Sequence, residues 1–185
     1  MVIANPVASR PSATWSVSTP TRLRPPDLLH ATDRAAQEVL AGHYDDLLPP
    51  DGVPADQRWF ARIHSDDELD LWLISWAPAR ATELHDHCGS LGALTVLSGS
   101  LDEFRWTGSG LRRRRLHAGD QAAFPLGWVH DLVWAPPPTP AAVLSGPTVS
   151  VHAYSPPLSA MSYYEVTDRN TLRRQRTELT DVPEA

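Results

Sequence analysis

The pattern of apolar and polar positions changes character once along the chain. From residue 27 to 40 (Asp-Leu-Leu-His-Ala-Thr-Asp-Arg-Ala-Ala-Gln-Glu-Val-Leu) apolar residues recur at helical spacing. Pro25-Pro26 blocks an earlier start and Gly42 offers a stop. One amphipathic helix is predicted there. After Pro49-Pro50, short apolar or alternating runs follow at intervals of roughly ten residues, parted by Gly, Pro, Asp and Ser, the rhythm of an all-β sandwich or barrel. Strands are expected over residues 59–64, 71–76, 91–97, 101–106, 121–124, 130–134 and 149–154. Gly99 falls where a tight turn would fold 91–97 back onto 101–106 as a hairpin. Residues 165–179 are polar and Arg-rich, with helical potential, and are expected to pack outside the barrel. The division that follows is a flexible N-terminal arm (1–25), a helical segment (26–48), a β domain (55–165) and a polar C-terminal tail (166–185).

Composition narrows the partners. The 185 residues fit one domain whose core closes without disulfides. Lys and Arg number 16 against 22 Asp and Glu, a formal charge of −6 that repels phosphate backbones and anionic lipid. Neither nucleic acid nor a membrane is an expected partner. Cys88 is the only cysteine, so there is no intrachain disulfide and no CxxC pair, and a reducing compartment is the natural home. The first residues lack the basic and apolar regions of a secretory signal, and no window approaches the ~20 apolar residues of a membrane span. A cytoplasmic monomer is expected.

Chemistry concentrates in histidine. In His85-Asp86-His87 the two imidazoles would leave the same face of a strand and could share a metal, although such a pair is equally compatible with solvated or hydrogen-bonded side chains. Downstream, Gly119, Pro125, Gly127 and His130 reproduce G-x5-P-x-G-x2-H. That string resembles the second motif of the cupin superfamily, and His85-x-His87 with Gly99 resembles part of the first. The resemblance implies a cupin β-barrel (a double-stranded β-helix or jelly roll) with the helix added at its N-terminal side. Cupins often carry a Glu ligand four or five positions after the second His, where this chain has Leu91 and Gly92. The implied metal site is therefore His85, His87 and His130. Imidazole suits iron, zinc, copper and nickel alike, so ligand type does not name the metal.

A narrower likeness runs from Arg62 through Leu71-Trp72-Leu73-Ile74-Ser75-Trp76, His85, His87 and His130 to Ser150-Val151-His152-Ala153-Tyr154-Ser155-Pro156-Pro157. Over about half the chain this order looks like a cysteine dioxygenase. The likeness implies Fe(2+), dioxygen and L-cysteine or a similar small thiol acid such as 3-mercaptopropionate, with cysteine sulfinic acid as product. A non-catalytic metal-binding cupin and a zinc-dependent isomerase or hydrolase are the competing readings. Ser150, His152 and Tyr154 fall on one face of a strand and Val149, Val151 and Ala153 on the other, so a Ser–His–Tyr relay and a plain wet strand face are both possible. The likeness favours the relay and often brings a cis Ser-Pro bond after it, here Ser155-Pro156.

Arg62 stands in an apolar-flanked run, and its guanidinium fork can hold a carboxylate through two hydrogen bonds. In the family an Arg in this place holds the substrate carboxylate. Animal members also carry a Cys five residues beyond the second His, joined to the Tyr; here that position is Gly92, so no crosslink is expected. Cys88 follows His87 and would point away from the metal on a continuous strand, which makes it structural. His30, His43, His64 and His117 are expected at the surface or in packing, residues 112–115 as a solvated Arg face, and the seven Trp in core and rim.

Overall fold

The helix α1 (Pro25–Leu40) begins with Pro in its first turn, and the Asp27 carboxylate accepts the Arg24 N–H at 2.8 Å. Gly42, at φ +82°, follows its C-terminus. Leu28, Ala31, Thr32, Ala35 and Ala36 are buried, the i, i+3, i+4, i+7, i+8 stripe of a helix lying on a sheet. The computed structural model describes residues 21–78, 82–136 and 146–183, so the expected arm lies outside the described residues up to position 20.

A short 3-10 turn, Asp45–Leu47, leads into eleven strands among the described residues: β1 (Trp59–Ser65), β2 (Asp70–Trp76), β3 (His85–Asp86), β4 (Leu91–Ser98), β5 (Ser100–Trp106), β6 (Leu111–His117), β7 (Gln121–Phe124), β8 (His130–Trp134), β9 (Thr148–Ser155), β10 (Ala160–Val166) and β11 (Leu172–Leu179). They form two antiparallel sheets, β1-β2-β9-β4-β7 and β11-β10-β3-β8-β5-β6. Between the sheets lies one core, with Trp72, Ile74 and Trp76 of β2 facing Leu101, Leu132, Met161 and Tyr163. A second apolar layer seats α1 on the outer face of the first sheet, against Leu71, Leu73, Val149, Val151 and Ala153. This is why β2 and β9 are buried on both faces. The all-β barrel with an added helix agrees with the fold read from the sequence.

Two local expectations are corrected. Gly99 does not turn a hairpin: β4 pairs with β9 and β7, whereas β5 pairs with β6 and β8 in the other sheet. The residue is a corner between sheets, at φ +71°, where a Cβ would stand 2.0 Å from Thr148 Oγ1 and 2.9 Å from Thr148 Cα. Only glycine fits. Second, the polar segment with helical potential is extended, and β10 and β11 form a hairpin within the second sheet. Strand β11 is an exposed edge, so neither face carries the period of two that marks a half-buried strand. Its arginines cover aromatic rings instead, Arg176 over Tyr163 at 3.8 Å and Arg174 over Tyr164 at 5.6 Å.

Asp70 opens β2 with 1% exposure, its Oδ2 accepting Trp72 Nε1–H at 2.9 Å while Oδ1 has no hydrogen-bond partner among the described residues. Burial pushes its carboxyl up to about 6, against the Trp72 hydrogen bond, which lowers it. Between pH 4 and 6 the folded chain thus holds a proton that the unfolded chain has released, so this residue's contribution to stability falls as pH rises through that window. Asp70→Asn should stabilise the fold at pH 7 by about 1–3 kcal/mol in denaturant titration, with no gain below pH ~4. An equal gain at both pH values would contradict the account. Among the described residues no helix is long and apolar enough to cross a membrane.

Candidate metal centre

The ends of two short strands carry the three histidines. His85 opens β3, His130 opens β8 directly across from it in register, and His87 follows β3 by one residue. The ring centroids are 5.1 Å (His85–His87), 4.9 Å (His85–His130) and 5.3 Å (His87–His130) apart. One ring nitrogen from each lies within 4.8 Å of the others, and all three side chains are buried.

Their hydrogen bonds define which nitrogens are donors. His85 Nδ1 lies 2.7 Å from the Glu83 carbonyl, which only accepts, so Nδ1 carries the proton and Nε2 the lone pair. His130 is 1% exposed, and among the described residues neither of its ring nitrogens has a hydrogen-bond partner within 3.5 Å. Buried polar atoms rarely stay unsatisfied, and a metal ligand is a direct explanation for such an imidazole. Burial, followed by the neighbouring His130, holds His85 down to about 3, and burial and adjacent histidines hold His87 well below the usual range. Neutral imidazole is the ligating form. The residues therefore fit a divalent metal.

Behind His130 stands Glu103, 2% exposed, with Oε1 3.6 Å from His130 Nδ1. Trp128 Nε1 donates to Oε1 at 3.0 Å, while Arg114 Nε and Nη2 donate to Oε2 at 3.0 and 2.6 Å. Burial opposes its charge, but His130, Trp128 and Arg114 outweigh burial and hold the pKa down to about 2. Sequence reasoning missed this residue because nothing in the β5 pattern distinguishes an inward carboxylate from an outward one.

Gly92 gives the missing side chain a reason. It pairs with Tyr154 across β4 and β9, and a Cβ there would stand 3.0 Å from the Phe124 ring and 3.1 Å from His87 Nδ1. Gly92→Ala should displace the His87 ring and weaken metal binding by on the order of tenfold in competition with a chromophoric chelator. Unchanged affinity would show that His87 does not ligate.

The inward face of β9 carries Ser150, His152 and Tyr154, all buried. Trp76 Nε1 donates to Ser150 Oγ at 2.8 Å, Ser150 Oγ and His152 Nε2 are 2.9 Å apart, and Tyr154 Oη is 3.5 Å from His152 Nδ1. Burial, then the Arg58 charge, holds His152 well below the usual imidazole range. The three residues face the interior rather than solvent. Beyond them the Ser155-Pro156 bond is cis.

Arg62 is not at the site. It pairs with Trp72 in register, lies over that ring at 4.4 Å and reaches the Asp181 carboxylate at 3.4 Å and the Asp181 carbonyl. Arg58, one residue before β1, is the guanidinium in the wall of the cavity that holds the histidines. It lies 4.0 Å over Trp76, four residues along β2 from Trp72, so two Arg-on-Trp pairs sit along one strand and the one beside the histidines is Arg58. A sequence signal existed: residues 58, 60 and 62 share a period of two, and counting the β1–β2 register back one step sets 58 opposite 76.

His152, Tyr154, Trp76 and Pro183 complete much of the cavity wall. Its volume is ≈ 10 Å³, about that of one water-sized body. Cys88 lies outside this wall, because β3 ends at Asp86 and Cys88 turns at φ +49° to bring Sγ 3.3 Å from Ser162 Oγ. His30, His43, His64 and His117 are exposed.

Known proteins align with this arrangement. The family described as cysteine dioxygenase type I matches residues 55–123, a segment that includes Arg58, His85, His87 and Glu103 but ends before His130 and β9. An uncharacterized conserved protein with a double-stranded beta-helix domain from Klebsiella pneumoniae is 18% identical, with a TM-score of 0.50 over 64% of this chain and 86% of that one. A cupin superfamily protein from Desulfitobacterium hafniense is 12% identical, with a TM-score of 0.44 over 56% of this chain and 81% of the other. At such identities a structural likeness speaks to fold and not to activity. The chain has an all-β fold similar to a double-stranded beta-helix domain, and its residues 55–123 match the cysteine dioxygenase type I family.

Proposed function

We propose that this protein is an iron(II) thiol dioxygenase that converts L-cysteine and dioxygen to cysteine sulfinic acid, with His85, His87 and His130 holding the metal. The observation that carries the reading is one small cavity bringing together three buried histidines, a guanidinium and a phenol. A ferrous ion there would supply the redox chemistry that joins a thiol to dioxygen. The reaction balances without another cofactor, since four electrons leave the sulfur and both oxygen atoms enter the sulfinate.

The chain's own residues do the rest. Arg58, in place of Arg62, receives the substrate carboxylate, its plane kept in position by the Trp76 ring beneath it. Trp76 Nε1 is only a donor, so Ser150 Oγ accepts from it and can direct its own proton to His152 Nε2. His152 then carries its proton on Nδ1, toward Tyr154 Oη, and the phenol lies in the cavity wall within reach of a bound ligand. There it would stabilise negative charge developing on oxygen.

A thiol acid needs more room than the ≈ 10 Å³ cavity offers, so its wall, which includes Pro183 near the chain's C-terminal end, would open on entry. Arg62 contacts Asp181, two residues before Pro183, so in this reading Arg62 serves access rather than recognition. The test is oxygen uptake by the iron(II)-loaded protein with L-cysteine and with 3-mercaptopropionate, with product mass measured. Uptake matched by the gain of two oxygen atoms, with cysteine preferred, is the expected result. Thiol binding without uptake would return the protein to the non-catalytic cupins.

A further inference from the structure

Strands β5 and β6 stack three rungs on one face: Leu101 opposite Leu116, Glu103 opposite Arg114, and Arg105 opposite Arg112. The first rung is apolar and the second an ion pair. The third sets two guanidinium groups directly across from each other, an arrangement that destabilises strand pairing unless something negative lies between them. Among the described residues neither Arg105 nor Arg112 forms an ion pair, although Arg113, Arg114 and Arg115 all do.

The surroundings are built, not merely basic. A groove of ≈ 330 Å³ is walled by Glu103, Arg105, Arg112, Arg113, Arg114 and Trp128, four cations against one carboxylate on a chain of net charge −6. Glu103, 2% exposed, grips Trp128 Nε1 and the Arg114 fork. Trp128 in turn carries the Arg105 guanidinium 3.5 Å above its ring. Two of the guanidinium planes are thereby fixed before any ligand arrives, which lowers the ordering cost of binding.

We propose that this groove is a binding site for a small multiply charged oxyanion, bridged by Arg105 and Arg112 with Trp128 as its floor. The site is separate from the histidine cavity and does not depend on the reaction assigned to it. Among the described residues the two share no lining residue, and the link between them is Glu103 of the groove, 3.6 Å from His130 of the cavity.

Isothermal titration with inorganic phosphate and with citrate, at ionic strength held constant with chloride, tests it on the full-length protein. Saturable binding of one anion per chain is expected, and which probe binds tells phosphate from carboxylate as the preferred chemistry. Arg105→Gln and Arg112→Gln should each weaken it by about tenfold or more, while Arg34→Gln, on α1, leaves it unchanged. Melting curves guard against misfolding: Arg112→Gln should melt higher than wild type in oxyanion-free buffer, because the facing charges are relieved, and should lose most of the rise that the bound probe produces. Failure of both probes to saturate overturns the proposal, as does unaltered binding in both groove variants or equal weakening in Arg34→Gln.

Discussion

Arg58→Gln should lower kcat/KM for L-cysteine by about a hundredfold, whereas Arg62→Gln should change it by no more than about fivefold. The two residues look alike in sequence, both basic and four positions apart on the period of two that runs from Arg58 into β1, but their surroundings differ. Arg58 lines the histidine cavity, over Trp76, where a substrate carboxylate would exchange water for a charge-assisted pair. Losing that partner leaves a desolvated carboxylate, which costs far more than losing a surface contact. Arg62 is held by Asp181, an exposed pair of the kind that contributes little. Steady-state kinetics on both variants decides between them. A hundredfold loss in Arg62→Gln with Arg58→Gln near wild type would reverse the assignment.

His130→Ala should abolish stoichiometric binding of iron(II), and Glu103→Gln should weaken it by about 10–100-fold. Among the described residues neither ring nitrogen has a hydrogen-bond partner within 3.5 Å, and only the Glu103 carboxylate, 3.6 Å from Nδ1, stands near one of them, so Nε2 is left for a ligand. Glu103 is the only carboxylate near Nδ1 among the described residues, and Trp128 and Arg114 hold it there as an anion. A carboxylate behind a ligating histidine fixes the ring and makes its other nitrogen a better donor. Gln keeps the shape and loses the charge, so the test separates positioning from packing. Chelator competition on the folded variants gives the result, and wild-type affinity in Glu103→Gln would mean the carboxylate serves only Arg114 and Trp128.

Much of the barrel was legible because its strands bury at least one face. The runs 71–76 and 149–154 sit inside β2 and β9, where α1 covers one side and the core the other. Strand β11 was not legible, since an exposed edge has no period to read. Gly99 marks a change of chain direction in the sequence but not its strand partners, because a glycine records the backbone angle and not which sheet the next strand joins.

The histidines could be found from spacing, and the structure sets the three beside one another. The guanidinium could not be chosen that way. A period of two puts 58 and 62 on one face, and only the antiparallel register shows which of them reaches the end of β2 that carries Trp76. Glu103 needed the second sheet in place before its buried carboxylate could be seen beside His130.

Iron K-edge absorption on the wild-type protein, loaded anaerobically with iron(II) and assayed for bound metal, reaches the central claim directly. One iron per chain with scattering from three imidazoles and no sulfur ligand before thiol is added is the predicted result. Iron bound through Cys88 sulfur, or without histidine scattering, would contradict it.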